Sequence, residues 1–99
     1  MKLKEKNMLL VQWSDEARAD LLEVMAFIAE RNETAALDLY ERIERSLEHL
    51  PEHPYLYKPS LRCPGTREIV VHPNYIVFYE VTNVIQILAV VHARENFPK

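Results

Sequence analysis

Apolar residues follow two rhythms along this chain, and the change of rhythm divides it into a helical half and a strand half. After an unpatterned start, MKLKEKN, the stretch Met8–Trp13 (MLLVQW) is an apolar run of strand length. Ser14 follows as a candidate N-cap. Asp15 and Glu16 then stand where the positive end of a helix dipole favours acid. Ala17, Leu21, Val24, Met25 and Ile28 recur at helical spacing and make one apolar face. Arg31-Asn32 interrupts that stripe. A second helix begins near Asn32–Thr34, with Ala36, Leu39, Tyr40, Ile43, Leu47 and Leu50 on its apolar side. Pro51 stops it and Pro54 prevents an early restart. So short a link between the helices predicts an antiparallel hairpin.

Residues 51–65 hold four of the six prolines and the single glycine, Gly65, and read as a loop. Beyond it the residues are β-branched and aromatic. Thr66–His72 is predicted as a strand, Pro73-Asn74 as a turn, Tyr75–Val81 as a strand, and Val84–Ala93 as the last strand. Along Tyr75–Val81 one face carries Tyr75, Val77, Tyr79 and Val81, and the other Ile76, Phe78 and Glu80. The last strand is apolar on both sides until His92, which predicts a central strand buried more than its neighbours. The expected fold class is α+β, in the order β-α-α-β-β-β, with a helical hairpin packed on one face of a small, mainly antiparallel sheet. No internal repeat or linker divides the chain. Residues 8–99 are expected to form one domain and residues 1–7 a disordered extension, with Met8 as an alternative start.

Composition narrows the class. Ninety-nine residues with 48% hydrophobic and 27% charged side chains suit one modest core. No apolar run approaches the roughly 18 residues of a membrane span, and Lys2, Lys4, Glu5 and Lys6 spoil a signal peptide. With one cysteine, Cys63, no internal disulfide is expected, and the chain reads as cytoplasmic. The net charge of −3 is unevenly spread. Residues 1–13 carry +2, residues 14–50 carry −6 and residues 51–99 carry +1. The acid therefore belongs to the helical half, as a solvated face. Sequence-independent gripping of nucleic acid is not expected of such a balance.

Candidate chemistry is sparse. His49-Leu50-Pro51-Glu52-His53 matches an inverted zinc-protease pattern by letters, but Pro51 breaks the continuous helix that the pattern needs. Cys63 reads as an incidental loop thiol. With one glycine there is no phosphate-cradling loop, so no nucleotide cofactor is expected; no metal is expected either. Arg67 opens one strand, while His92 and Arg94 close another. If these strands are neighbours, their cations gather at one end of the sheet and suit a phosphate or an acidic partner. The alternative is surface pairing of Arg67 and Arg94 with Glu68, Glu80 or Glu95.

Several stretches, read in order, carry a resemblance. They are Trp13 after the first strand, Ala17-x-x-Asp20-Leu21, Ala35-Ala36 opening the second helix, Leu50-Pro51, and Gly65-Thr66-Arg67-Glu68. His72-Pro73-Asn74-Tyr75, Tyr79-Glu80-Val81 and His92-Ala93-Arg94 before Pro98 complete the set. Together they resemble the RelE/ParE superfamily of bacterial type II toxins across residues 8–98. The resemblance implies the same β-α-α-β-β-β plan and a toxin neutralised by a cognate antitoxin encoded beside it. It also implies one of two targets. RelE-like members cleave messenger RNA on the ribosome; ParE-like members poison DNA gyrase and serve plasmid stabilisation.

Residue by residue, the resemblance favours the second branch. The RelE-like branch uses lysines and arginines on the three C-terminal strands and a tail hydroxyl. Of those positions Arg67 and Arg94 are cationic here, whereas Ile69, Ile76 and Phe97 stand at the others. The tail Asn96-Phe97-Pro98-Lys99 does not supply the histidine-aromatic pair of another ribonuclease subset. The His92-Ala93-Arg94 ending followed by Pro98 is the ParE-like one. The expected protein is thus a gyrase inhibitor that acts by binding and not as an enzyme, without a catalytic set. It is not expected to bind nucleic acid sequence-specifically by itself, nor membrane. Its expected partner-binding residues are Arg67, His72, Tyr75, His92, Arg94 and Phe97, with the acidic helices and the tail as surfaces. In the ribonuclease alternative, Arg67, His92 and Arg94 carry the chemistry.

Overall fold

In the computed structural model, which describes residues 8–98, the chain runs β1 (Val11–Trp13), α1 (Asp15–Ala29), α2 (Glu33–Leu47), β2 (Arg67–His72), β3 (Tyr75–Val81) and β4 (Ile85–His92). The segment 1–7, expected to be an extension, lies outside the described residues. Ser14 and Asn32 cap the two helices: each side chain accepts the backbone N–H three residues on, at 3.0 Å. Both helices end before the first candidate breaker, and Pro51 falls in the turns that follow α2.

The sheet has the order β1-β4-β3-β2. β1 is parallel to β4, and the other two pairings are antiparallel, so the sheet is mixed, with β1 its parallel edge. The first strand is shorter than the six residues expected. Leu9 turns its N–H to the carbonyl of Pro51, at 3.0 Å, and so joins the loop after α2. The expected rank of the last strand also needs correction. β4 is interior, but so is β3, and Tyr75–Tyr79 are five consecutive buried residues.

That burial arises because both sheet faces are covered. On the front face, Ala17, Leu39, Ile43 and Leu50 from the helical half pack on Ile69, Val77, Tyr79, Ile85 and Ile87. On the back face, Ile76, Phe78, Ala89 and Val91 pack under Phe97 from the tail. Helices alone would have left this second face in water. Two bulges adjust the strands. Val71 is extra between the pairs Val70–Ile76 and His72–Tyr75, and Leu88 is extra between Phe78–Ala89 and Tyr79–Ile87. Before β2, Gly65 has φ +89°, a left-handed conformation natural only to glycine, and Thr66 then closes the turn on the Cys63 carbonyl.

Candidate functional site

The geometry separates the residues that strand-end logic brings together. β2 and β4 are each antiparallel to β3, so they run the same way. Arg67, at the start of β2, pairs with Tyr79, whereas His92, at the end of β4, pairs with Tyr75. Arg67 is therefore at the opposite end of the sheet from His92 and Arg94, and the expected cluster of all three does not form. Nor does Arg67 pair with Glu68 or Glu80. Its guanidinium Nη1 donates to the Tyr57 carbonyl at 2.6 Å and lies over the Tyr55 ring, 4.9 Å from its centre.

Around Arg67 the proline-rich loop is fastened to the sheet. The Tyr57 hydroxyl donates to the Ser46 carbonyl at 2.8 Å, and the Tyr79 hydroxyl to the Pro54 carbonyl at 2.8 Å. The two rings meet edge to face at 6.4 Å. Burial pushes the Tyr79 phenol above its ordinary pKa of 10.0, with the nearby Arg67 charge pulling the other way. Arg67 is thus a loop clamp.

The other end of the sheet does gather four of the expected residues. Tyr75 is buried between two imidazoles, with its ring centre 6.0 Å from His72 and 5.4 Å from His92. His72 ends β2 and His92 ends β4. Each accepts a turn N–H on Nδ1, from Asn74 at 3.0 Å and from Arg94 at 3.1 Å. These bonds assign the neutral rings their proton on Nε2, pointing away from the turns. Arg94 is exposed just beyond. Phe97 is not on this rim. It lies on the back face against Phe78, with ring centres 4.4 Å apart.

Two residues outside the expected set position this end. Arg62 donates to the carbonyls of Ala93 at 3.1 Å and Glu95 at 3.3 Å, and so holds the tail. Asp20 accepts the Val90 N–H at 3.1 Å, where β1 no longer covers β4. Neither pairing has a local signature, because the partners are 31 to 70 residues apart. His49 and His53 lie in turns beyond the end of α2, so they share no helix face. Among the described residues no three potential metal ligands converge.

A second surface feature is a cleft of about 670 Å³ between β1 and α2. Val11, Trp13, Leu21, Ile43 and Leu47 line it with apolar surface, and Glu41, Glu44 and Glu48 stand along one lip.

Known proteins are similar to this chain in sequence or in shape. The chain matches the family described as the ParE toxin of the type II toxin–antitoxin system parDE over residues 11–97. It is 31% identical over 90 residues to Y4kP of Sinorhizobium fredii (strain NBRC 101917 / NGR234), described as a candidate toxin, covering 90% of this chain and 93% of that one. A solved structure of the chromosomal ParDE system from P. aeruginosa superposes with a TM-score of 0.72 at 20% identity, over 87% of this chain and 97% of that one. A conserved hypothetical protein from Helicobacter pylori shares the fold at a TM-score of 0.53 and 13% identity, over 91% of this chain and all of that one. With a family match that runs from the first strand into the tail, the chain belongs to the ParE toxin family of type II toxin–antitoxin systems.

Proposed function

We propose that this toxin acts on DNA gyrase by binding, and that a cognate antitoxin encoded beside it holds it silent. The observation that carries the reading is the extent of the family match, which takes in every element from Val11 to Phe97. The geometry supports binding over RNA cleavage. Cleavage needs a base at the 2′-hydroxyl and cations on the phosphate, all within reach of one nucleotide. Here Arg67 and Arg94 stand at opposite ends of the sheet, and the Arg67 guanidinium is already engaged by Tyr57 and Tyr55. The net charge of −3 suits a protein target better than a phosphate backbone. The contacts assigned to partners are the rim of His72, Tyr75, His92 and Arg94 and the tail carrying Phe97. Its place of action is the cytoplasm.

The test is plasmid supercoiling by purified gyrase with the free toxin added. Supercoiling is expected to fall as toxin rises, and to recover when the antitoxin is supplied. Unchanged supercoiling from a folded sample, with cleavage of messenger RNA in a ribosome-containing extract, would overturn the reading. It would turn attention to His92 and Arg94.

A further inference from the structure

Leu61 is the most exposed large apolar residue among the described ones, with 99% of its surface in water. A lone exposed leucine is ordinary. What sets this one apart is how firmly the chain on either side of it is held. Ser60, next to it, is buried. The Ser60 hydroxyl donates to a Glu68 carboxylate oxygen at 2.6 Å and accepts the N–H groups of Arg62 at 3.0 Å and Cys63 at 3.1 Å. The Ser60 N–H donates to the Thr66 carbonyl at 2.9 Å. Pro59, bridged to Arg67 at the sheet edge, and Pro64 restrict the backbone before and after the knob. Leu61 is thus an apolar tip on a loop that is ordered before any partner arrives, so docking loses little conformational entropy there.

The surroundings of the tip specify the chemistry of a partner. Lys58 and Arg62 line a hollow of about 510 Å³ with Leu61, Pro59 and Glu68. Arg62 is also a wall of a second hollow, about 760 Å³, which Arg94 and Phe97 line. Through its bonds to the Ala93 and Glu95 carbonyls, Arg62 makes the tip continuous with the tail and the His92–Arg94 end of the rim. The two carboxylates on this side are already engaged. Glu68 accepts the Ser60 hydroxyl, and Glu95 accepts the His92 N–H at 3.0 Å. Lys58, Arg62 and Arg94 are exposed. None of them is in an ion pair among the described residues, where the one such pair is Arg42 with Asp38. This side therefore offers an apolar tip among cations, while the excess acid of the chain belongs to residues 14–50.

We infer that Leu61 anchors this protein to its target, entering an apolar pocket of the target protein rimmed by aspartate and glutamate, with Lys58, Arg62 and Arg94 meeting that rim. An anchor in a pocket excludes water from the charged contacts around it and so strengthens them. The acidic helices are repelled by the same rim, so charge also orients the encounter with the loop side forward. The inference rests on the proposed reading for the identity of the target, and on the loop for its chemistry.

The experiment compares the full chain with its Leu61→Asp, Leu61→Met and Lys58→Glu variants. These side chains are exposed, so all three should unfold in urea at the parent's midpoint and bind the antitoxin as the parent does. Leu61→Asp should need at least about tenfold more protein to inhibit supercoiling by purified gyrase. Lys58→Glu should weaken inhibition in the same direction, and Leu61→Met, which keeps the apolar volume, should inhibit like the parent. Should Leu61→Asp unfold early, Lys58→Glu carries the decision. Inhibition unchanged in either charged variant overturns the proposal. Antitoxin binding that falls as far as inhibition also overturns it, because the tip would then serve the antitoxin. If the parent leaves gyrase untouched, the target reading fails, and growth arrest on expression decides the tip. Arrest by the parent but not by Leu61→Asp keeps the anchor, on another target of the same chemistry. Equal arrest by both, or arrest by neither, overturns it.

Discussion

At Arg67 a guanidinium meets both a carbonyl and an aromatic face, and truncation removes both contacts at once. Arg67→Ala is expected to cost about 1.5–3 kcal/mol, the range for hydrogen bonds to charged groups. Arg94→Ala, at an exposed position, should stay within about 0.5 kcal/mol. Urea unfolding compares the two, and equal small losses would show that the clamp is idle. Tyr79 beside it makes stability depend on alkaline pH. Burial holds its proton more tightly in the folded state than in the unfolded one, where the pKa is near 10.0. Its contribution is therefore fully present below that value and is lost as pH rises through the higher folded pKa. Tyr79→Phe should lower stability by about 1 kcal/mol at neutral pH, through the lost bond to Pro54, and flatten part of the alkaline decline. Unfolding midpoints measured from about pH 8 to about pH 11.5 test both effects. The residue types at this site were legible in the sequence, but their partners were not. Nothing near Arg67 in the chain marks Tyr57 as its acceptor, because the loop and the strand meet only after folding.

Among the elements, α1 is fastened to β4 more firmly than its apolar stripe implies. Ser14 donates its N–H to Ile87, its hydroxyl caps the helix, and Asp20 receives the Val90 N–H. The helix start thus takes over where the three residues of β1 stop. Asp20→Ala should cost about 1–3 kcal/mol, because the Val90 N–H is left without its acceptor. Asp20→Asn should recover much of this by keeping an oxygen in place. Faster amide exchange at Val90 in the alanine variant alone is the diagnostic. Element type and order followed from periodicity, since a helix and a strand need different spacings of apolar residues. Strand length did not. Met8–Trp13 is apolar throughout, yet pairing lasts only from Val11, because Leu9 finds a closer carbonyl in Pro51.

For the whole molecule, the tail completes the sheet. Phe97 covers Phe78, and Arg62 grips the carbonyls that lead to it. A chain ending at Arg94 is expected to lose at least about 1 kcal/mol of apolar burial. It should also bind a hydrophobic dye that the full chain excludes; equal dye binding would show that the tail is dispensable to the back face. This coverage explains why Tyr75–Tyr79 are buried on both sides and why β4 does not rank as the most buried strand. By itself, the sequence determined the α+β class, the hairpin, the order of elements and the acidic helical half, because spacing and composition are local properties of the chain. The tertiary structure decided which strand ends coincide. It placed His72, Tyr75 and His92 together and sent Arg67 to the far end. Among the described residues it also left β1 at the edge of the sheet, beside an acidic helix flank. The short turns after β2 and β3 made those two pairings antiparallel, but the parallel seat of β1 beside β4 is set by residues far apart in the chain, and no local pattern encodes it.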